Sequence, residues 1–123
     1  CENKILGGKN MNTKFFKNIE VAKALGLKEE VLYVEKQVVS KTLTQTNNVS
    51  ITLFAFDKGE EISTHSAPGD ALVYVTEGQV TITIGDNDPA IVSEGEMILM
   101  PANTPHGLVA NERFKMMLVI VNG

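Results

Sequence analysis

The stretch 59–110 decides the fold: GEEISTHSAPGDALVYVTEG at 59–78, QVTITIGDNDPAIVSE at 79–94 and GEMILMPANTPHGLVA at 95–110. Short runs rich in Val, Ile, Thr and Leu alternate there with Gly, Pro, Asp and Asn, the pattern of β-strands separated by tight turns. In Gln79–Ile84 the alternation is clean. Val80, Ile82 and Ile84 fall on one face and Gln79, Thr81 and Thr83 on the other, so the strand buries one side. Gly59, Gly78 and Gly95 stand where the chain must reverse, which glycine does without a Cβ penalty. Pro101 follows a strand where no ladder donor is needed, and Asn103 is a residue type that tolerates left-handed φ. Both histidines of the chain, His65 and His106, lie inside this stretch.

The same punctuated pattern extends outward. Strands are expected at Val31–Val34, Gln37–Thr46, Val49–Phe56, Glu61–His65, Ala71–Thr76, Gln79–Ile84, Ala90–Val92, Met97–Met100, His106–Ala110 and Phe114–Val121. So many short strands imply a sandwich or barrel, not a βαβ sheet. Ahead of them a short N-terminal helix is expected, capped by Asn18, striped by Ile19, Ala22, Val21 and Leu25, and stopped by Gly26. In Val49–Phe56 and Ala71–Thr76 both faces are largely apolar, so the outside of the barrel needs a cover. Two covers serve: a second copy of the chain, which makes a homodimer the expected state and outward-facing Tyr74 a dimer contact, or the N-terminal helix.

The chain has 123 residues, one domain's worth, and can bury a core without staples. Its formal charge is −4 with Lys and Arg scattered, the wrong sign and distribution for a phosphate backbone, so no nucleic-acid partner is expected. No apolar run approaches the roughly 20 residues needed to cross a bilayer, so no membrane is expected either. The one cysteine, Cys1, permits no internal disulfide, which suits a cytoplasmic protein. Cys1 to Asn10, with its Gly7-Gly8 pair, reads as a tag or flexible extension. Residues 11–123 then form a single barrel domain.

From Gly59 to Ala110 the sequence resembles the cupin family. The first family motif is a glycine, five residues, a His-x-His triplet, a short gap, a glutamate, six residues and a glycine. Here it runs from Gly59 through His65-Ser66-Ala67 and Ala71 to Gly78. The second motif is a glycine, five residues, Pro-x-Gly, two residues, a histidine, three residues and an asparagine. Here it runs from Gly95 through Pro101-Ala102-Asn103 and His106 to Ala110. The resemblance implies an all-β fold, a double-stranded β-helix (cupin or jelly-roll) barrel. It also implies a metal held by three histidines and the glutamate. His65 and His106 keep two of those positions, whereas Ala67 and Ala71 replace the others, and alanine offers no lone pair.

Two functional readings follow. In the first, a small organic ligand enters between the sheets, inward-facing Ala67, Ala71, Val73 and Val75 give it room, and His65 and His106 hold its polar end. In the second, the chain is a metal-dependent enzyme of oxygenase or isomerase type. His65 and His106 then bind a divalent Zn, Mn, Fe or Ni ion, with Asp70 as third ligand if the strand starts after a bend at Pro68-Gly69. The plainer alternative is that neighbours satisfy both histidines. Met97, Met100, Met116 and Met117 could line a soft pocket, but at strand positions they read first as core filler, and Arg113 reads as a solvated turn residue. Ser63, Ser66, His65 and Asp70 lie too close in sequence to suggest a hydrolase.

Overall fold

The computed structural model describes residues 12–123. The Cys1 to Asn10 segment lies outside the described residues. Nine strands follow in order: β1 (Val38–Gln45), β2 (Val49–Phe56), β3 (Glu61–His65), β4 (Asp70–Glu77), β5 (Gln79–Ile84), β6 (Ala90–Ser93), β7 (Met97–Met100), β8 (His106–Val109) and β9 (Phe114–Val121). They build a five-stranded sheet, β1-β2-β9-β4-β7, and a four-stranded sheet, β3-β8-β5-β6. This is the expected all-β double-stranded β-helix. No helix among the described residues is long and apolar enough to cross a membrane.

Alternation sets the core. Phe56 from β2, Val73 and Val75 from β4, Val80 and Ile82 from β5, and Phe114 and Met116 from β9 meet between the sheets, none more than 2% exposed. The Phe56 and Phe114 rings stack with centroids 4.6 Å apart. A single residue, Gly78, carries the chain from β4 to β5 with φ +75°, and a Cβ there would collide with the backbone oxygen of Arg113. Glycine is required on both counts.

The N-terminal expectations are corrected. No helix forms over 18–25, because Asn18 and Ala22 adopt φ of 61° and 58°, left-handed values that interrupt a right-handed helix. Among the described residues only one 3-10 turn is present, Leu27–Glu30. Asn18 does not cap; its Nδ2 donates to Thr42 O at 2.8 Å. Lys17 N donates to Leu43 O at 2.8 Å and Phe16 bridges to Thr44. Hydrogen bonds along the free edge of β1 therefore replace those a helix would make within itself. Val31–Val34 is not a strand either. Val31 packs with Leu43, Leu53 and Ala55 on the outer face of the larger sheet, where no strand edge offers a ladder partner.

Polar groups pin this segment. The Tyr33 hydroxyl donates to Glu77 Oε2 at 2.6 Å, and burial together with Glu77 pushes its pKa above the ordinary phenol value. Lys115, buried, donates from Nζ to Lys28 O at 2.6 Å and lies 4.9 Å from the centroid of the Tyr33 ring. Arg113, exposed in its turn as expected, also lies 5.0 Å from the same centroid and donates from Nε to Asp57 Oδ1 at 2.8 Å. Asp57 also accepts from Lys36 N at 2.6 Å and Lys58 N at 2.9 Å.

The Lys36 amide and the Arg113 guanidinium hold the Asp57 carboxyl at about 2, below its ordinary 3.8. A carboxyl depressed on folding contributes stability that is complete above the ordinary value and is lost as pH falls through the depressed one. Urea unfolding at stepped pH should therefore show stability declining between about pH 4 and pH 2. Asp57→Asn should flatten that decline, and an identical acid limb in the variant would contradict the assignment.

Candidate functional site

β3 ends at His65 and β8 begins at His106, and the two are direct partners across the ladder. Gly107 permits the close approach of these strands: a Cβ there would lie 3.1 Å from Ile62 O and 3.2 Å from Thr64 N. Register thus brings the histidines together, with ring centroids 4.5 Å apart and planes at 65°. His106 is buried at 8% exposure and His65 is exposed at the mouth.

Each ring is oriented by its own chain. His65 Nδ1 donates to Ser63 O at 3.0 Å, and His106 Nδ1 donates to Thr104 O at 3.1 Å. A carbonyl only accepts, so both Nδ1 atoms carry hydrogen, and a neutral ring then keeps its lone pair on Nε2. Among the described residues no protein group hydrogen-bonds to either Nε2.

Both rings border a cavity of about 120 Å³ between the sheets. Its walls are apolar, formed by Ile62, Met100, Leu108, Met116, Leu118 and Ile120. Ala67 and Ala71 line it too, so four expected site residues, His65, His106, Ala67 and Ala71, surround one space. Val73 and Val75 do not line it; they are fully buried in the core further along β4. Alternation along β4 gives their direction but not their depth. Met100 and Ile120, both paired with Ala71 across the ladders, take their place; methionine is a soft pocket residue by type, whereas only cross-strand register could have found Ile120.

Asp70 does not join the histidines. Its Oδ1 accepts from Ala102 N at 2.8 Å, and Asn103 N donates to Ala67 O at 2.7 Å beside it. Asp70 thereby ties together the two loops at the cavity mouth. Among the described residues no three His, Cys, Asp or Glu side chains are grouped to hold a metal ion. A catalytic zinc wants about three protein ligands, and non-haem iron wants two histidines with a carboxylate. Two imidazoles in an apolar cavity do not fit the divalent cation that the sequence motifs imply.

Comparison with known proteins places this geometry. A family described as "Cupin domain" matches residues 52–122. A conserved protein of unknown function from Streptococcus pyogenes is 46% identical, with a TM-score of 0.86 over 90% of this chain and 96% of that one. A cupin superfamily protein from Desulfitobacterium hafniense is 30% identical, with a TM-score of 0.83 over 88% of this chain and 98% of that one. A cupin 2 conserved barrel domain protein from Leptotrichia buccalis is 43% identical, with a TM-score of 0.76 over 80% of this chain and 47% of that one. No curated protein matches the chain.

Proposed function

The chain belongs to the cupin family, and from that premise we propose that it is a binding protein for a small, mainly apolar organic molecule. The ligand sits between the sheets with its polar end at His65 and His106. One observation carries this reading: a cavity of about 120 Å³ whose walls are apolar and whose two missing metal ligands are alanines. An engineered apolar cavity of about 150 Å³ in another protein stays dry and takes up benzene. A ligand of about that size fits here, and the emptied ligand positions supply space where charge would otherwise be.

The reading is tested by melting temperature in the presence of small uncharged organic compounds. A ligand at a hundred times its dissociation constant stabilises the folded state by about 2.7 kcal/mol. Ala71→Leu, which fills the cavity from its wall, should abolish every such shift while preserving a cooperative transition. Shifts that persist in Ala71→Leu, or none from any compound in the native chain, would contradict the proposal.

We further propose that the protein is a cytoplasmic homodimer. On the outer face of the larger sheet, Leu99, Leu72, Val119 and Ile51 lie in one cross-strand row and Met97, Tyr74, Met117 and Leu53 in the next. The N-terminal segment covers the Leu53 end, leaving Leu99 57% and Met97 63% exposed at the other. A second copy is the natural cover for such a face. Light scattering should report a dimer that Leu99→Glu converts to a monomer of unchanged melting cooperativity, whereas a native monomer at micromolar concentration would refute it.

A further inference from the structure

The direction of the hydrogen bonds around the two imidazoles restricts the ligand further, and this inference rests on the binding function proposed above. We infer that the ligand is an uncharged hydroxyl compound of about benzene size, a phenol or catechol in chemical class, which gives its hydroxyl hydrogen to His106 Nε2. His106 is buried and lines the cavity, its Nδ1 is engaged by Thr104 O, and among the described residues no protein group hydrogen-bonds to its Nε2. A buried acceptor left unpaired is costly, so an occupant must bring a donor to it.

The rest of the lining decides the charge. His65 Nδ1 is engaged by Ser63 O in the same manner, so the neutral ring offers a second Nε2 acceptor beside the first, with the ring centroids 4.5 Å apart. Met100 and Met116 add thioether sulfurs, which are weak acceptors. Lysine, arginine, aspartate and glutamate are absent from the lining, and the Asp70 carboxylate is engaged by Ala102 N. A carboxylate ligand would set its oxygens against the lone pairs of two neutral rings, and no lysine or arginine lines the cavity to balance it. A hydroxyl meets His106 with a hydrogen, and a second, vicinal hydroxyl reaches His65. The apolar remainder lies against Met116, Leu118 and Ile120.

Calorimetric titration with benzene, phenol, catechol and benzoate tests the assignment. Phenol should bind about fivefold or more tightly than benzene, as expected when a buried acceptor gains its donor. Catechol should bind at least as well as phenol, and benzoate should show no saturable binding. His106→Leu should erase the preference for phenol over benzene while benzene still binds, and His65→Leu should erase only the gain of catechol over phenol. Nitrogen NMR of the native rings gives a readout independent of any ligand: both Nδ1 atoms protonated and both Nε2 atoms bare. Equal affinity for benzene and phenol would overturn the hydroxyl assignment and leave the apolar binding function standing. Saturable benzoate binding, or bare Nδ1 atoms, would overturn it as well. No binding by any of the four would remove both this assignment and the function on which it rests.

Discussion

Ala67→His combined with Ala71→Glu is expected to create a divalent metal site, raising the affinity for Zn(II) or Mn(II) on the order of a hundredfold or more over the native chain. Both alanines line the cavity beside His65 and His106, so longer side chains at these positions enter the same space. The change supplies a third imidazole and a carboxylate, completing a ligand number and charge that a divalent ion accepts. Ala71 pairs with Met100 on one side and Ile120 on the other, and these flexible side chains can yield to a glutamate. Without metal, the added carboxylate lies in an apolar cavity and should lower the melting temperature. With metal that loss should be recovered. Competition against a chromophoric chelator measures the gain, and an affinity unchanged from the native chain would mean that something other than the two alanines keeps metal out.

Phe114→Ala is expected to destabilise the fold by about 3–5 kcal/mol and to lower the melting temperature by roughly 10–20 °C. Phe114 is fully buried, faces Phe56 across the β2–β9 ladder and stacks on its ring with planes 17° apart. It also adjoins the backbone of Gly78 at the corner between the sheets. That neighbourhood is rigid, so the vacated volume collapses poorly and the cost lies toward the upper end of the range. Urea unfolding reads the effect through a lower midpoint at unchanged slope. A loss below about 1 kcal/mol would show that the barrel does not depend on this stack.

The sequence is most legible where one strand's own pattern suffices. Gln79–Ile84 alternates cleanly, and Val80 and Ile82 are indeed fully buried. Gly78 and Asn103 adopt the positive φ that their residue types suggest. The convergence of His65 and His106 was readable from motif spacing, because the β3–β8 ladder places both at its end. Depth along a strand was not readable. Val73 and Ala71 point the same way from β4, yet one lies in sealed core and the other borders the cavity. Long-range polar contacts were not readable either. The apolar stripe over 18–25 suggests a helix, but the open edge of β1 takes the hydrogen bonds of Lys17 and Asn18, and the segment follows an irregular path. Arg113 is the solvated turn residue that the sequence suggests, but its ion pair with Asp57 appears only in the fold.

On the function proposed above, His65 and His106 are a pair of hydrogen-bond acceptors for an organic ligand and not a working metal centre. Elemental analysis of protein purified without chelator and without metal-affinity resin tests it most directly. The account predicts less than half an equivalent of zinc, manganese, iron and nickel combined, at a level that His65→Ala leaves unchanged. Near-stoichiometric metal that disappears in His65→Ala would contradict it.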